Sequence, residues 1–364
     1  MTLDVLRVKI DTIDDEILAL LESRAQLMTS VARAKSEARA GLPKRDPKRE
    51  RQVLERLTSR ATHFPRESLR AVFREVISAC LALQEPQAGV FLGPDWSFAR
   101  DAAHQALGRA ARLRAEPNLD DLCLAVIRGE ARYGIVPAER SDTGPVGATF
   151  DALFKHDVHV CEEVLAHEAH GLFSHAPDLA TIERVYAAPN AAERCRGWLA
   201  QRLGRAVVHP CASAREAAQR AAAEPTSAVI SCSAAADSFG LPALHEGVDD
   251  APPGRTRYFV ISAEDYASSG TQFRTLLCFV PPPDRGARAR TFEALACLEP
   301  DPSRLLSRPH PSQPRQHVYF SDVRGHHAGG NVQRVLERIA HECEVRVVGT
   351  YSCESPPQPQ ARAL

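Results

Sequence analysis

Apolar residues recur at Leu6, Ile10, Ile13, Ile17, Leu20, Leu21, Met28 and Val31. This is helical spacing, uninterrupted by Pro or Gly until Gly41-Leu42-Pro43. The pattern predicts a helix from Leu3 to roughly Ala40, about 50–60 Å long at a rise of ~1.5 Å per residue. A small domain cannot bury such a helix along its whole length, so it calls for partner helices and a second subunit. Asp46 stands at an N-cap position with Pro47 behind it, opening a second helix to Arg60. A third follows over Arg66–Gln84. Glu85-Pro86-Gln87-Ala88-Gly89 reads as a linker.

Beyond it the pattern changes to short apolar runs: Val90–Gly93, Tyr133–Val136, Val158–Val160, Arg184–Tyr186, Ala228–Ile230 and Tyr258–Ile261. Helices are predicted between them over Phe98–Arg112, Ala191–Leu203 and Ala214–Ala223. Strands alternating with helices imply an α/β region with largely parallel sheets, reaching about Asp265. After Ser268-Ser269-Gly270 the predicted order is strand Leu276–Val280, helix Ala287–Ala296, strand Val318–Phe320, helix Gly330–Glu342 and strand Val345–Val348. This suits a small α+β domain of βαββαβ type, with Pro300 and Pro302 falling where its second strand should run. The expected organisation is an all-α domain over 1–86, a two-lobed α/β domain over 88–264, an α+β domain over 274–352 and a disordered Pro- and Gln-rich tail over 353–364.

Composition narrows the function classes. The chain has 364 residues, with 45 basic and 46 acidic side chains. That balance gives no case for nucleic acid or a membrane surface as partner. No apolar run approaches a membrane span. Ten cysteines are scattered without a Cys-x-x-Cys pair and read as reduced thiols, which points to the cytoplasm. His156, His159, His167, His170 and Cys161 lack the tight spacing of a zinc signature, so neither a metal nor a cofactor is expected.

Cations on the first helix carry the first chemical clue. Arg24 and Lys35 are eleven residues apart and lie within about 20° of one face. Arg7 sits seventeen residues before Arg24, about a quarter turn away, and suits the equivalent pocket of a partner subunit better than its own. Cys80 and Gln84 share a face of the third helix, and Asp46 and Arg49 open the second. Such cations suit a small ligand with two carboxylates, because guanidinium groups grip carboxylates bidentately. The alternative is a set of solvated surface cations.

Residues 3–86 resemble the all-helical chorismate mutase domain of bacterial P-proteins. The matching stretches are Leu6-Arg-Val-Lys-Ile-Asp11, Ile13-Asp-Asp-Glu-Ile-Leu-Ala-Leu-Leu21, Val31-Ala-Arg-Ala-Lys35, Arg45-Asp-Pro-Lys-Arg-Glu50 and Ile77-Ser-Ala-Cys-Leu-Ala-Leu-Gln84. The resemblance implies an intertwined homodimer converting chorismate to prephenate. Arg24 and the partner's Arg7 would hold the carboxylates, Lys35 and Gln84 would face the ether oxygen, and Asp46, Arg49, Glu50 and Cys80 would complete the pocket.

Residues 88–264 resemble prephenate dehydratase, a two-lobed fold with its site between the lobes. The matches are Phe91-Leu-Gly-Pro-Asp-Trp-Ser-Phe98, Tyr133-Gly-Ile-Val-Pro-Ala-Glu-Arg-Ser141, Val185-Tyr-Ala-Ala-Pro-Asn190 and Thr256-Arg-Tyr258. The resemblance makes Thr256 the catalytic hydroxyl, with Ser97, Glu139, Ser141, Asn190 and Arg257 as prephenate-binding residues. Departures fall on the polar positions: Trp96 replaces a Gly, Arg140 an Asn, Ala187-Ala188 a Ser-His pair and Gly254 an Asn. Residues 274–352 resemble the phenylalanine-sensing ACT domain through Val318-Tyr-Phe-Ser-Asp322 and Val347-Val-Gly-Thr-Tyr351. Its ligand motifs are altered to Arg285-Gly-Ala-Arg288 and Leu306-Ser-Arg-Pro309, which speaks against phenylalanine binding. The chain thus reads as a chorismate mutase fused to a prephenate dehydratase-like region in phenylalanine biosynthesis. Two alternatives are a fully bifunctional enzyme also making phenylpyruvate, and residues 88–352 acting as a non-catalytic ligand-binding or dimerisation module.

Overall fold

The first helix forms as its periodicity requires. In the computed structural model, which describes residues 2–37, 47–84, 88–265, 273–298, 304–313 and 315–352, α1 spans Leu3–Glu37. It is followed by α2 (Pro47–Arg60) and α3 (Arg66–Gln84). Leu54, Ile77 and Leu81, with Val53 and Phe73, form the small core of α2 against α3. Most of the α1 stripe lies in water within one chain: Ile13 is 54 % exposed and Leu20 70 %. Each such side chain forgoes about 1.5–3 kcal/mol that burial would contribute. These helices, together with Leu107–Arg112, form one of two compact units.

The second unit takes up the rest of the chain. Its first lobe is built from β1 (Ala88–Leu92), α4 (Phe98–Leu107), β2 (Arg112–Glu116), α5 (Leu119–Ile127), β3 (Tyr133–Arg140), β4 (Gly144–Pro145), α6 (Gly147–Lys155) and β5 (His159–Glu168). The chain then crosses to a second lobe of β6 (Gly171–Ser174), β7 (Arg184–Ala187), α7 (Pro189–Arg194), α8 (Arg196–Arg202), β8 (Val207–Pro210), α9 (Ala214–Ala223), β9 (Ser227–Ser231), α10 (Ser233–Asp237) and β10 (Ala243–Glu246). It returns through β11 (Gly254–Ser262), which inserts between β3 and β5.

The first sheet runs β2-β1-β3-β11-β5 with β4 on β3, and the second β10-β6-β9-β7-β8. The expectation of largely parallel sheets is corrected here. Strand β11 is antiparallel to both its neighbours, and β6 is antiparallel to β9 and β10. Parallel pairing joins β1 to β3, and β7 to β8 and β9. A strand re-entering from another lobe arrives in the opposite direction, which local alternation cannot reveal. The helix expected over Phe98–Arg112 also stops at Leu107, because Gly108 takes φ +81° and Arg112 opens β2. Cys195 likewise divides the helix expected over Ala191–Leu203 into α7 and α8.

The C-terminal elements are β12 (Phe273–Val280), α11 (Arg285–Ala296), β13 (Leu305–Pro309), β14 (His317–Arg324), α12 (Gly330–Ile339) and β15 (Glu344–Ser352). They form an antiparallel sheet in the order β13-β14-β12-β15. The second strand begins at Leu305, after the prolines expected to interrupt it. Pro300 and Pro302 lie outside the described residues, as does the 353–364 tail. One sheet face packs Leu277 and Phe279 on the helix residues Leu295, Val332 and Ile339. The other face shares a core with the first lobe, where Leu276, Phe320, Val348 and Tyr351 join Leu122, Phe150, Leu153 and Phe259. The α+β region is therefore not a separate bead. Among the described residues, no helix is long and apolar enough to cross a membrane.

Close approach of β15 to β5 depends on Gly349, where a Cβ would lie 2.0 Å from the Val160 carbonyl oxygen. Because that neighbour is backbone, Gly349→Ala should destabilise the chain by about 1–3 kcal/mol, the usual range for overpacking. Thermal denaturation measures this, and an unchanged melting temperature would show that the two strands separate freely.

Candidate functional site

On α1, Arg24 reaches α3, donating from Nη1 to the Val76 carbonyl at 3.3 Å. That contact lies one turn before the buried Cys80. Arg7 sits on the same helix about 26 Å away at ~1.5 Å per residue, exposed beside Asp4 at 3.5 Å. Arg49 is exposed and Glu50 half-buried at the start of α2. Asp46 and the side chains of Lys35 and Gln84 lie outside the described residues. One chain thus brings Arg24 and Cys80 near each other and leaves Arg7 far from both.

Strand β11 organises the second candidate site. Thr256 pairs with Arg140 of β3 and Ala166 of β5, so its side chain shares a face with that of Arg140. Thr256 is 1 % exposed, and its hydroxyl donates to Glu168 Oε1 at 2.7 Å. The Tyr258 hydroxyl donates to the same oxygen at 3.3 Å. Burial first, then the neighbouring Glu168, push the Tyr258 hydroxyl's pKa well up and keep it protonated. Glu168 ends β5 where the chain leaves for the second lobe, and Thr256 lies two residues inside the returning strand.

The opposite face of β11 corrects two expectations. Arg257 Nε donates to Glu163 at 2.8 Å, and Nη2 donates to Asp322 at 2.6 Å and to the Tyr351 hydroxyl at 2.5 Å. Tyr351 in turn donates to Asp322. Burial alone would lower the Arg257 pKa, but Tyr351, Asp322 and Glu163 outweigh it and raise it. Arg257 is therefore committed to the C-terminal sheet and not to a substrate carboxylate. Glu139 lies on that side too, 3.9 Å from Arg257 Nη1. Strand alternation decides this: neighbours of Thr256 in sequence must face away from it.

The remaining expected residues scatter around the lobe junction. Ser97 Oγ is buried with no hydrogen-bond partner among the described residues. Ser141 is exposed and its hydroxyl accepts from the Arg255 N–H at 3.0 Å. Asn190 is exposed near the start of α7. Trp96 lies under Arg215 of α9, whose guanidinium carbon is 4.3 Å from the ring centre. Trp96 and Phe98 both pack into the second lobe's core beside Phe173 and Tyr186. Asp101 of α4 accepts from Ser233 Oγ at 2.9 Å and Ala234 N at 3.1 Å, joining the lobes a second time. A cavity of about 670 Å³ opens at the crossover, lined by Ser141, Asp142, Glu193, Arg194 and residues 250–255.

His170, Cys195 and Asp249 also come together, with possible ligating atoms within 4.8 Å of one another. Asp249 accepts from the His170 backbone N–H at 2.7 Å and from Arg194 Nε at 3.0 Å, and its Oδ1 lies 2.8 Å from His170 Nδ1. Burial, then Asp249 and Asp250, push the Cys195 thiol up to about 12. With Arg194 and His170 both on its carboxylate, Asp249 pins the two lobe crossovers together. Sequence reasoning missed this pin along with Glu168 and the Tyr258 hydroxyl. Alternation could have placed Tyr258 beside Thr256, whereas Glu168 needs the register of β5.

Comparison with known proteins matches this division. The Chorismate mutase type II family model matches residues 6–85, and the Prephenate dehydratase model matches residues 90–266. A bifunctional chorismate mutase/prephenate dehydratase of Stutzerimonas stutzeri is 31 % identical over 361 residues, covering 96 % of this chain and 97 % of that protein. The chain belongs to the bifunctional chorismate mutase/prephenate dehydratase family. Among solved structures, the prephenate dehydratase of Arthrobacter aurescens in complex with L-Phe is 27 % identical. It has a TM-score of 0.58 and covers 73 % of this chain and 90 % of that one. A protein described as GqqA, a novel type of quorum quenching acylase, shares the fold at 22 % identity and a TM-score of 0.62, covering 73 % of this chain and 97 % of that one. Both family domains are thus present in one chain, and the family's conversions run from chorismate towards phenylalanine.

The Asp249 pin is sensitive to acid. Burial alone would push its carboxyl up, but the His170 backbone N–H, the His170 ring and Arg194 together hold it below the usual carboxylate range. A lowered value means the stability it contributes is present above the usual range and lost as pH falls through the lowered value. Between about pH 6 and about pH 3, the wild-type melting temperature should fall more steeply than that of Asp249→Asn, whose amide does not titrate. Parallel curves would remove Asp249 as the acid-sensitive group.

Proposed function

We propose that this chain is itself bifunctional: its helical unit rearranges chorismate to prephenate, and its two-lobed region converts prephenate to phenylpyruvate. The observation that carries the second activity is the Thr256 hydroxyl, held in place at the end of β11 where the lobes meet. Losing the ring carboxylate as carbon dioxide requires a proton for the departing ring hydroxyl, and Thr256 is the donor. The 670 Å³ cavity, lined by Arg194 and Arg255 together with Asp142, Glu193 and Asp250, ends one residue before Thr256 and has room for a small molecule.

In the mutase the rearrangement is pericyclic and needs no nucleophile. The site selects a compact conformer and stabilises charge on the ether oxygen. Lys35 and Gln84 face that oxygen, Arg24 holds a carboxylate, and Asp46, Arg49, Glu50 and Cys80 shape the pocket. Arg7 serves the partner's pocket in a homodimer. Two features support that reading: the 17-residue separation of Arg7 from Arg24 on one helix, and the apolar stripe of α1 that a single chain leaves in water. The C-terminal βαββαβ region is ACT-like in strand order. Arg308 of the altered ligand motif is engaged by Asp151 through 2.8 and 2.5 Å bonds, so it braces the first lobe and does not wait for phenylalanine.

A second reading, residues 88–352 without catalysis, draws on Trp96 filling the second lobe's core and on Ala187 and Ala188, whose methyl groups replace two polar side chains. One experiment separates the two. Chorismate is supplied to wild type and Thr256→Ala while prephenate and phenylpyruvate are followed together. We expect phenylpyruvate from wild type and a loss of about 10²–10⁴-fold with Thr256→Ala. Prephenate accumulating equally in both would establish the non-catalytic reading.

The shared mutase site has its own test. Arg7→Ala and Arg24→Ala chains, each inactive alone, should regain mutase activity when unfolded together and refolded as a mixture. At random pairing about half the dimers are mixed, and each holds one intact site. No recovery would sink the shared site.

A further inference from the structure

Thr256 does not point its hydroxyl proton at open space. The bond to Glu168 uses that proton, and a hydroxyl whose only proton is held by a carboxylate cannot also protonate a leaving group. For Thr256 to act as an acid, its partner must supply a proton in turn. We propose that Glu168 relays the proton for the dehydration through Thr256. This rests on the dehydratase reading above.

The step balances as follows. The bond between ring and carboxylate breaks, carbon dioxide leaves, and its electron pair moves into the ring. The bond from ring to hydroxyl breaks at the far side. The departing oxygen takes the Thr256 proton and leaves as water, while Thr256 Oγ1 takes the proton of Glu168. Glu168 is left as a carboxylate and regains its proton from solvent when the products go. The 2.7 Å separation of Thr256 Oγ1 and Glu168 Oε1 is suited to that transfer. Tyr258, 3.3 Å from the same oxygen, remains a phenol because burial and Glu168 raise its pKa, and so can stabilise the carboxylate that forms.

The charged surroundings come from several elements. Arg140 of β3 shares the Thr256 face, and both it and Asp101 of α4 act electrostatically on Tyr258. Arg194 approaches from α7: a Cβ on Gly254 would lie 3.9 Å from its guanidinium nitrogens and 3.9 Å from Glu168 Cβ. His170 and Asp249, just beyond Glu168, are occupied with each other.

The test uses the full chain with prephenate as substrate and phenylpyruvate as readout, across a pH series. Wild type, Thr256→Ala, Glu168→Gln and Glu168→Asp are compared, each normalised to its own mutase rate as a measure of folded protein. Because the relay runs on a proton passed through Thr256, wild-type dehydratase kcat should be highest at the acid end of the series and fall as pH rises. Glu168→Gln should lower kcat by about 10²–10⁴-fold, leave KM within a few-fold, and remove that fall. Glu168→Asp should keep it. Wild-type rate and profile in Glu168→Gln, with Thr256→Ala inactive, would overturn the relay and leave the dehydratase reading intact. A lowered rate with an unchanged profile would also overturn it, since a structural role gives that result. No phenylpyruvate from wild type would overturn both.

Discussion

A guanidinium buried between two sheets holds the second unit together. Arg257 is surrounded by Glu163 of β5, and by Asp322 and Tyr351 of the C-terminal sheet. Removing one partner from such a group leaves an unpaired buried charge, at a cost of about 3–5 kcal/mol. The strand carrying it therefore has little freedom to slip. A one-residue slip of β11 would swing Arg257 into the lobe junction and Thr256 towards the C-terminal sheet. The same charge cluster that ties the C-terminal sheet to the first lobe thus sets which side chain faces the candidate site.

This changes the meaning of the C-terminal region. It keeps a core of its own against α11 and α12 and shares a second one with the first lobe. Here Phe320 packs on Phe150 with ring centres 5.1 Å apart, and Tyr351 packs on Phe259 at 5.7 Å. Arg308 sits where any side chain on Gly147 would be, with its carbon and a terminal nitrogen within 2.8 Å of that position. Arg308 thus braces the first lobe through Asp151. Whatever binds the C-terminal sheet would act on the first lobe directly, through contacts already made.

The two units present opposite problems. The helical unit exposes its longest apolar stripe and has only a small core between α2 and α3. The two-lobed unit is well packed, and its junction is closed by Trp96, by Asp101 of α4 bonding to α10 and by the Asp249 pin. Thr256, almost wholly buried, lies at this junction with its hydroxyl on Glu168.

Much of this was legible in the residues alone. Period-3.6 spacing over Leu6–Val31 gave the long helix, because helix geometry is local. Short motifs around Thr256, Gly93-Pro94 and Arg45–Glu50 carried the family resemblance, because the chemistry needs those side chains in that order. Sheet direction was not legible: whether β11 runs with or against its neighbours depends on a crossover dozens of residues long. Nor were the partners of Arg257 and Thr256, since Glu163, Glu168 and Asp322 become neighbours only once strand register is set. The chain dictated which groups are available. Tertiary structure decided that adjacent residues, Thr256 and Arg257, serve opposite faces, one meeting Glu168 at the lobe junction and one tying the C-terminal sheet to the first lobe.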